Sequence, residues 1–228
     1  MPPDHASATT ITYLFDPLCG WCYAAAPQVA GLRAALGKDA VRGVATGLFW
    51  SDGKRPMTAE FRDYAWSNDQ RIAQLTGQRF SQAYYDKVLS DFSVPFDSEP
   101  PTRAIAVAEM QRPGSGLDLL ARMQSARFVE GRNLFAEDAL FQLVRELGFD
   151  MPAFTTAFRG SAGRAAADRM AGEGQAMMRQ LNLRGVPALA LRHGDHDHAI
   201  TGEPLVDPGQ GLVEALVRHL GADTQASH

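Results

Sequence analysis

The stretch "TITYLFDPLCGWCYAAAP" (Thr10–Pro27) holds both cysteines of this 228-residue chain, three positions apart. "TITYLF" (Thr10–Phe15) is β-branched and aromatic and reads as a buried strand. Pro17 cannot extend a central ladder, so the strand should end at Asp16-Pro17. From Gly20 to Leu36 the chain is rich in Ala and Leu, with Ala26, Val29, Ala30 and Leu36 on one stripe. That is a helix, stopped at Gly37 and expected to kink at Pro27. Cys19 and Cys22 therefore sit where a strand hands over to a helix. "AVRGVATGLFW" (Ala40–Trp50) reads as a second strand, so the three elements form a βαβ unit with a parallel pair.

Past the turn cluster "SDGKRP" (Ser51–Pro56) the character changes. Met57, Phe61, Tyr64, Ala65, Ile72 and Leu75 recur at helical spacing. Further helices are expected over Pro101–Gln111, from Leu117 to Gly131, around Leu140–Leu147, and at Met151–Phe158. No convincing strand lies between Ser51 and Gly160. Mixed character then returns: a helix over Ala165–Leu183, a short strand in "RGVPALALR" (Arg184–Arg192), a turn at "HGDHD", a pairing segment His198–Gly202, and a closing helix over Pro208–Leu220. The order implies one α/β domain interrupted by an all-helical insertion, with residues 8–55 and 165–222 sharing a sheet and residues 56–164 inserted between them.

Composition is that of an ordinary globular protein, 45% hydrophobic and 21% charged, with a net charge of −4. There is no basic stripe, which argues against nucleic acid as a partner. No apolar run approaches the roughly 18 residues of a membrane span. The N-terminal "MPPDHASATT" lacks the pattern of a secretory signal. The expected compartment is the cytoplasm, where thiols are mostly reduced and a structural disulfide is a poor default.

Three readings of the cysteine pair follow. Two inert buried thiols are common, and random placement of two cysteines in a chain this long gives this spacing roughly one time in a hundred. A zinc site normally needs a second such pair; only His193, His196 and His198 could supplement it, and they fall in a charged turn, so no metal is expected. The redox reading has position in its favour. Cys19 falls at a helix N-terminus, where unpaired N–H groups and the helix dipole favour a thiolate. Cys22 lies one turn further, within reach of a mixed disulfide on Cys19.

The whole pattern resembles the DsbA family of thioredoxin-fold proteins, and more narrowly its cytosolic, FrnE-like branch. The likeness rests on "YLFDPLCGWCYAAAP", on "ARFVEGRNLFAEDALFQLVRELGFD" (Ala126–Asp150) in the insertion, and on "LRGVPALAL" (Leu183–Leu191). It spans about Thr10 to Leu220. It implies a thioredoxin-like α/β fold, Cys19 as the exposed nucleophile and Cys22 as the resolving thiol. Pro187 matches the family's cis-proline, preceded by Val186, and both would offer backbone to a bound peptide. Gly20 and Trp21 match the dipeptide that tunes redox poise. Strongly oxidising members carry Pro-His there, so Gly-Trp implies a more reducing, isomerase- or reductase-like poise.

The implied function is thiol–disulfide exchange with protein or peptide substrates, with the redox-active pair in place of a bound cofactor and glutathione as a possible electron donor. Trp21 and Trp50 would add apolar surface for the substrate, with Phe49 either joining them or belonging to the core. Asp16 either influences Cys22 or only terminates the strand. Two other classes stay open. One is a glutathione-dependent transferase or isomerase of the kappa-class or 2-hydroxychromene-2-carboxylate isomerase type, whose members use Ser where this chain has Cys19. The other is a non-catalytic chaperone or zinc-binding module.

Overall fold

The computed structural model describes residues 10–193, 196–207, 209 and 211–218. β1 (Thr10–Phe15) leads into α1 (Gly20–Leu36) and β2 (Val41–Ala45). The insertion follows: α2 (Ala59–Thr76), α3 (Gln82–Tyr84) with a π-helical turn at Tyr85–Leu89, α4 (Glu99–Gln111), α5 (Gly116–Gln124) with a π-helical turn at Ser125–Val129, α6 (Glu137–Glu146) and α7 (Met151–Arg159). The chain returns through α8 (Ser161–Gln180), β3 (Ala188–His193), β4 (His196–Thr201) and α9 (Glu203–Val206). A last helical segment, α10, covers residues 212–218.

The sheet order is β2-β1-β3-β4. β1 pairs in parallel with β2, from Ile11 opposite Val41 to Phe15 opposite Ala45. β3 pairs antiparallel with both β1 and β4. The α/β architecture with an all-helical interruption is thus the one expected. Between Ser51 and Gly160 the only β pairing among the described residues is an isolated bridge between Arg55 and Phe96.

Side chains alternate along β1, as a strand dictates. Ile11, Tyr13 and Phe15 join the large core shared with α1 and the insertion. Leu14 turns the other way, where it meets Val44, Ala188 and the methionines Met170, Met177 and Met178 of α8. The buried stripe of α8 is built largely from small residues, Gly163, Ala166, Ala167, Ala171 and Gly174. They let this helix pack closely on its neighbours, with Gly163, Ala166 and Ala167 against the helices around Ala106 and Val107 and Gly174 against the end of β2. At Gly174 a Cβ would stand only 2.6 Å from the Ala45 carbonyl oxygen.

Several boundaries differ from the sequence reading. The second strand ends at Ala45 rather than Trp50. Gly47 takes φ +64°, which turns the chain, and the Phe49 N–H leaves the ladder to donate to the Asp16 carboxylate. β3 begins at Ala188, so Arg184–Pro187 is a loop, and the Val186–Pro187 peptide bond is cis. His196 and Asp197, read as turn, belong to β4. α9 was not anticipated. The closing helix begins later than Pro208, and the ends of that expected span, Pro208, His219 and Leu220, lie outside the described residues, as does the tip at residues 194–195. On α2, Tyr64 and Leu75 are exposed despite their helical spacing with Phe61 and Ile72.

Candidate active site: the Cys19–Cys22 turn

β1 delivers the chain to Asp16, and the turn Pro17-Leu18 brings Cys19 to the N-cap of α1. Asp16 organises this turn. It is fully buried; its Oδ1 accepts the Leu18 N–H at 2.9 Å, and its Oδ2 accepts the Ser98 hydroxyl at 2.7 Å and the Phe49 N–H at 3.2 Å. One carboxyl thus ties the dithiol turn to the β2–α2 loop and to the start of α4. Burial pushes its pKa up, against the pull of those hydrogen bonds.

Both cysteines are free thiols. Cys19 Sγ accepts the Cys22 N–H at 3.4 Å, so the sulfur caps its own helix. It lies 3.9 Å from the Val186 carbonyl oxygen, next to the cis bond. Cys22 is completely enclosed, whereas Cys19 retains 7% exposure. Burial pushes the Cys22 thiol well up, and the hydrogen bond and charge of Cys19 and the charge of Asp16 raise it further. Asp16 ends the strand and acts on Cys22 in two opposed ways: its backbone hydrogen bond, the larger effect, lowers the thiol pKa, and its charge raises it. Beneath the turn the Tyr13 hydroxyl donates to the Cys22 carbonyl oxygen at 2.9 Å, and burial raises its own pKa. Cys19, expected to be exposed, is thus largely buried; the two sulfurs still differ, one capping a helix with a small exposed area and one sealed in a low-dielectric interior.

A cavity of about 550 Å³ opens beside this turn. Trp21, Val186 and Pro187 line it, together with Leu75 and Thr76 from the end of α2 and Glu203, Val206 and Asp207 around α9. Trp21 and Val186-Pro187 are therefore brought together with the sulfurs, while Gly20 sits between the cysteines with α2 packed against it. Trp50 is not. It packs over Gly47 and against the cluster of Ala106, Ala166 and Ala167, because the turn at Gly47 sends it toward α4 and α8. Phe49 belongs to the core, edge-on to Phe96 with ring centroids 4.8 Å apart.

Sequence reasoning did not single out Leu75, the α9 residues or Asp69. Asp69 had a signal: it occupies the gap in the apolar stripe Phe61, Ala65, Ile72. Among the described residues no group of three or more His, Cys, Asp or Glu is placed to hold a metal. No helix among them is long and apolar enough to cross a membrane.

Residues 10–210 match the profile of the DSBA-like thioredoxin domain. The chain belongs to that family. As a DsbA-family member it has the thioredoxin fold of an oxidoreductase, and its solved relatives fit the cytosolic branch. The cytosolic disulfide reductase DsbM from Pseudomonas aeruginosa is 32% identical, with a TM-score of 0.80 over 93% of this chain and 99% of that one. The structure of that reductase with GSH superposes with a TM-score of 0.79 at 34% identity, over the same shares of the two chains. No curated protein matches the sequence.

Proposed function

We propose that this protein is a cytoplasmic thiol–disulfide oxidoreductase of reducing or isomerising poise, acting on protein or peptide disulfides through Cys19 and Cys22, with glutathione as electron donor. The observation that carries the reading is the inequality of the two sulfurs in a turn whose Trp21 lines the neighbouring cavity. Cys19 caps α1 against Val186 with 7% of its surface exposed, and Cys22 is fully buried.

In the reducing direction the Cys19 thiolate attacks one sulfur of the substrate disulfide. A Cys19–substrate bond forms, and the other substrate sulfur leaves and takes up a proton. Cys22 then loses its proton and attacks Cys19 Sγ, which releases the second substrate thiol. The substrate has gained two electrons and two protons, and the protein holds a Cys19–Cys22 disulfide. Two glutathione thiols return it to the dithiol and become glutathione disulfide. Because burial keeps Cys22 protonated, it remains a neutral thiol until the mixed disulfide has formed. The Val186 carbonyl, facing Cys19 Sγ, and the apolar walls of Trp21, Val186 and Pro187 suit an extended segment lying beside Cys19. The similarity to a cytosolic disulfide reductase, and to its structure with GSH, supports both direction and donor.

Insulin reduction by glutathione tests this. Cys19→Ser should abolish turnover, and Cys22→Ser should accumulate a mixed disulfide on Cys19. Full activity in Cys19→Ser would refute the role and favour a glutathione-dependent transferase or isomerase. A reduction potential near the roughly −120 mV of DsbA would refute the reducing poise.

A further inference from the structure

The helical insertion reaches the dithiol through one buried carboxyl. Asp69 lies on the inner side of α2 and is 6% exposed. Its Oδ2 accepts the Tyr84 hydroxyl at 3.0 Å. Its Oδ1 faces Gly20, where an added Cβ would stand 2.2 Å from that oxygen and 3.1 Å from Ile72 Cδ1. Helix α2 thus packs on the first turn of α1 through a carboxyl, at a position where any side chain larger than hydrogen collides.

A cation stands behind this contact. Arg127 is fully buried, and none of its three guanidinium nitrogens has a hydrogen-bond partner. Its guanidinium carbon lies 5.2 Å from the ring centre of Tyr84 and 5.1 Å from that of Phe96, with Phe128 and Phe135 completing an aromatic cage. The titratable and charged groups facing Asp69 are therefore Tyr84 from α3 and Arg127 from the π-helical turn after α5; on the α1 side it meets Gly20, the residue that follows the N-cap Cys19, and its helical neighbour Ile72 is apolar. Burial pushes the Asp69 carboxyl up to about 7, against the Tyr84 hydrogen bond and the Arg127 charge.

We propose that Asp69 is a positioning residue of the dithiol: it clamps the Cys19–Cys22 turn at Gly20, and its charge controls how readily that turn carries a thiolate. The inference rests on the exchange chemistry assigned to Cys19 and Cys22. An ionised carboxyl at the first turn of α1 competes with a Cys19 thiolate for the same positive helix end. The reduced form is then less stabilised and the pair more reducing, the opposite of the way a strong oxidant is made. Any larger residue at position 20 must push the Asp69 carboxyl aside, so poise and the insertion are linked through one contact.

The test uses the reduced full-length protein, with alkylation of Cys19 by iodoacetamide followed by mass spectrometry from pH 6 to pH 8. The rate follows the thiolate fraction. Asp69→Asn keeps the shape and removes the charge. At pH 6, where Asp69 is mostly protonated, the variant and wild type should react within twofold of each other; at pH 8 the variant should be about tenfold faster. A ratio independent of pH would overturn the electrostatic part. For the clamp, Gly20→Ala should slow exchange with glutathione disulfide at least tenfold, and adding Asp69→Ala should restore most of that rate. A double variant as slow as Gly20→Ala would overturn the clamp. Should Gly20→Ala fail to fold, the Asp69→Asn profile still decides. Failure of the wild type to equilibrate with glutathione would instead count against the exchange chemistry itself.

Discussion

Replacing Asp16 by alanine should destabilise the protein by about 3 kcal/mol, and the number can be built from its contacts. The carboxyl accepts from the Leu18 N–H, the Phe49 N–H and the Ser98 hydroxyl, and Asp16, Leu18 and Ser98 are buried. Truncation leaves three donors without an acceptor, at about 1–3 kcal/mol each. Two effects reduce the total. The Ser98 hydroxyl can turn toward another acceptor, and the desolvation cost of the carboxylate itself disappears. Asp16→Asn retains one acceptor oxygen but sets an NH2 group against at least one donor, so it should cost less, about 1–2 kcal/mol.

The pH dependence has a definite sign. The folded-state pKa of Asp16 lies above its unfolded value, because burial penalises the charge. The folded protein then binds more protons, so this group makes the wild type less stable as pH rises from about 4 through the folded pKa. The alanine variant lacks that dependence. The gap between the two should be widest near pH 4 and narrow as pH rises. Urea unfolding followed by tryptophan fluorescence measures it, with an unchanged slope confirming that midpoints can be compared. A loss below about 1 kcal/mol, or a gap that widens with pH, would show that Asp16 is not the anchor of the turn.

Two further outcomes separate the dithiol cavity from the surrounding packing. Trp50→Ala should lower stability by about 2 kcal/mol, less than a fully buried tryptophan because the ring is half-buried. It should leave the glutathione equilibrium and the KM for a disulfide peptide unchanged, and a raised KM would return Trp50 to the substrate surface. Leu75, 61% exposed on the cavity wall, should behave the opposite way. Leu75→Asp should alter stability by no more than about 0.5 kcal/mol. It should raise KM for an apolar disulfide peptide up to about tenfold, the equivalent of one lost leucine contact; an unchanged KM would exclude that wall from binding.

Much of the architecture is legible in the order of hydrophobic periods. β1 reads as a strand because "TITYLF" is β-branched and aromatic, and the chain must stop pairing at Asp16-Pro17. The boundaries that were misread share a cause. "AVRGVATGLFW" is largely apolar, yet only Val41–Ala45 has a ladder partner, and the turn at Gly47 depends on where β1 ends and the Asp16 carboxyl waits. Leu75 and Ile72 look alike in the sequence of α2; which one is covered depends on a neighbouring helix, not on α2 itself.

The sequence by itself determined the α/β order, the helical interruption, and a cysteine pair at a strand-to-helix junction, because these follow from short-range patterns of polarity, glycine and proline. Only the tertiary structure decided that Val186-Pro187, 167 and 168 residues beyond Cys19, closes over its sulfur, and that Trp50 turns away. It also decided that a carboxyl 49 residues along the chain, that of Asp69, presses on Gly20. Those are contacts between segments far apart in sequence, set by how helices and strands pack, and no local pattern encodes the distance between them.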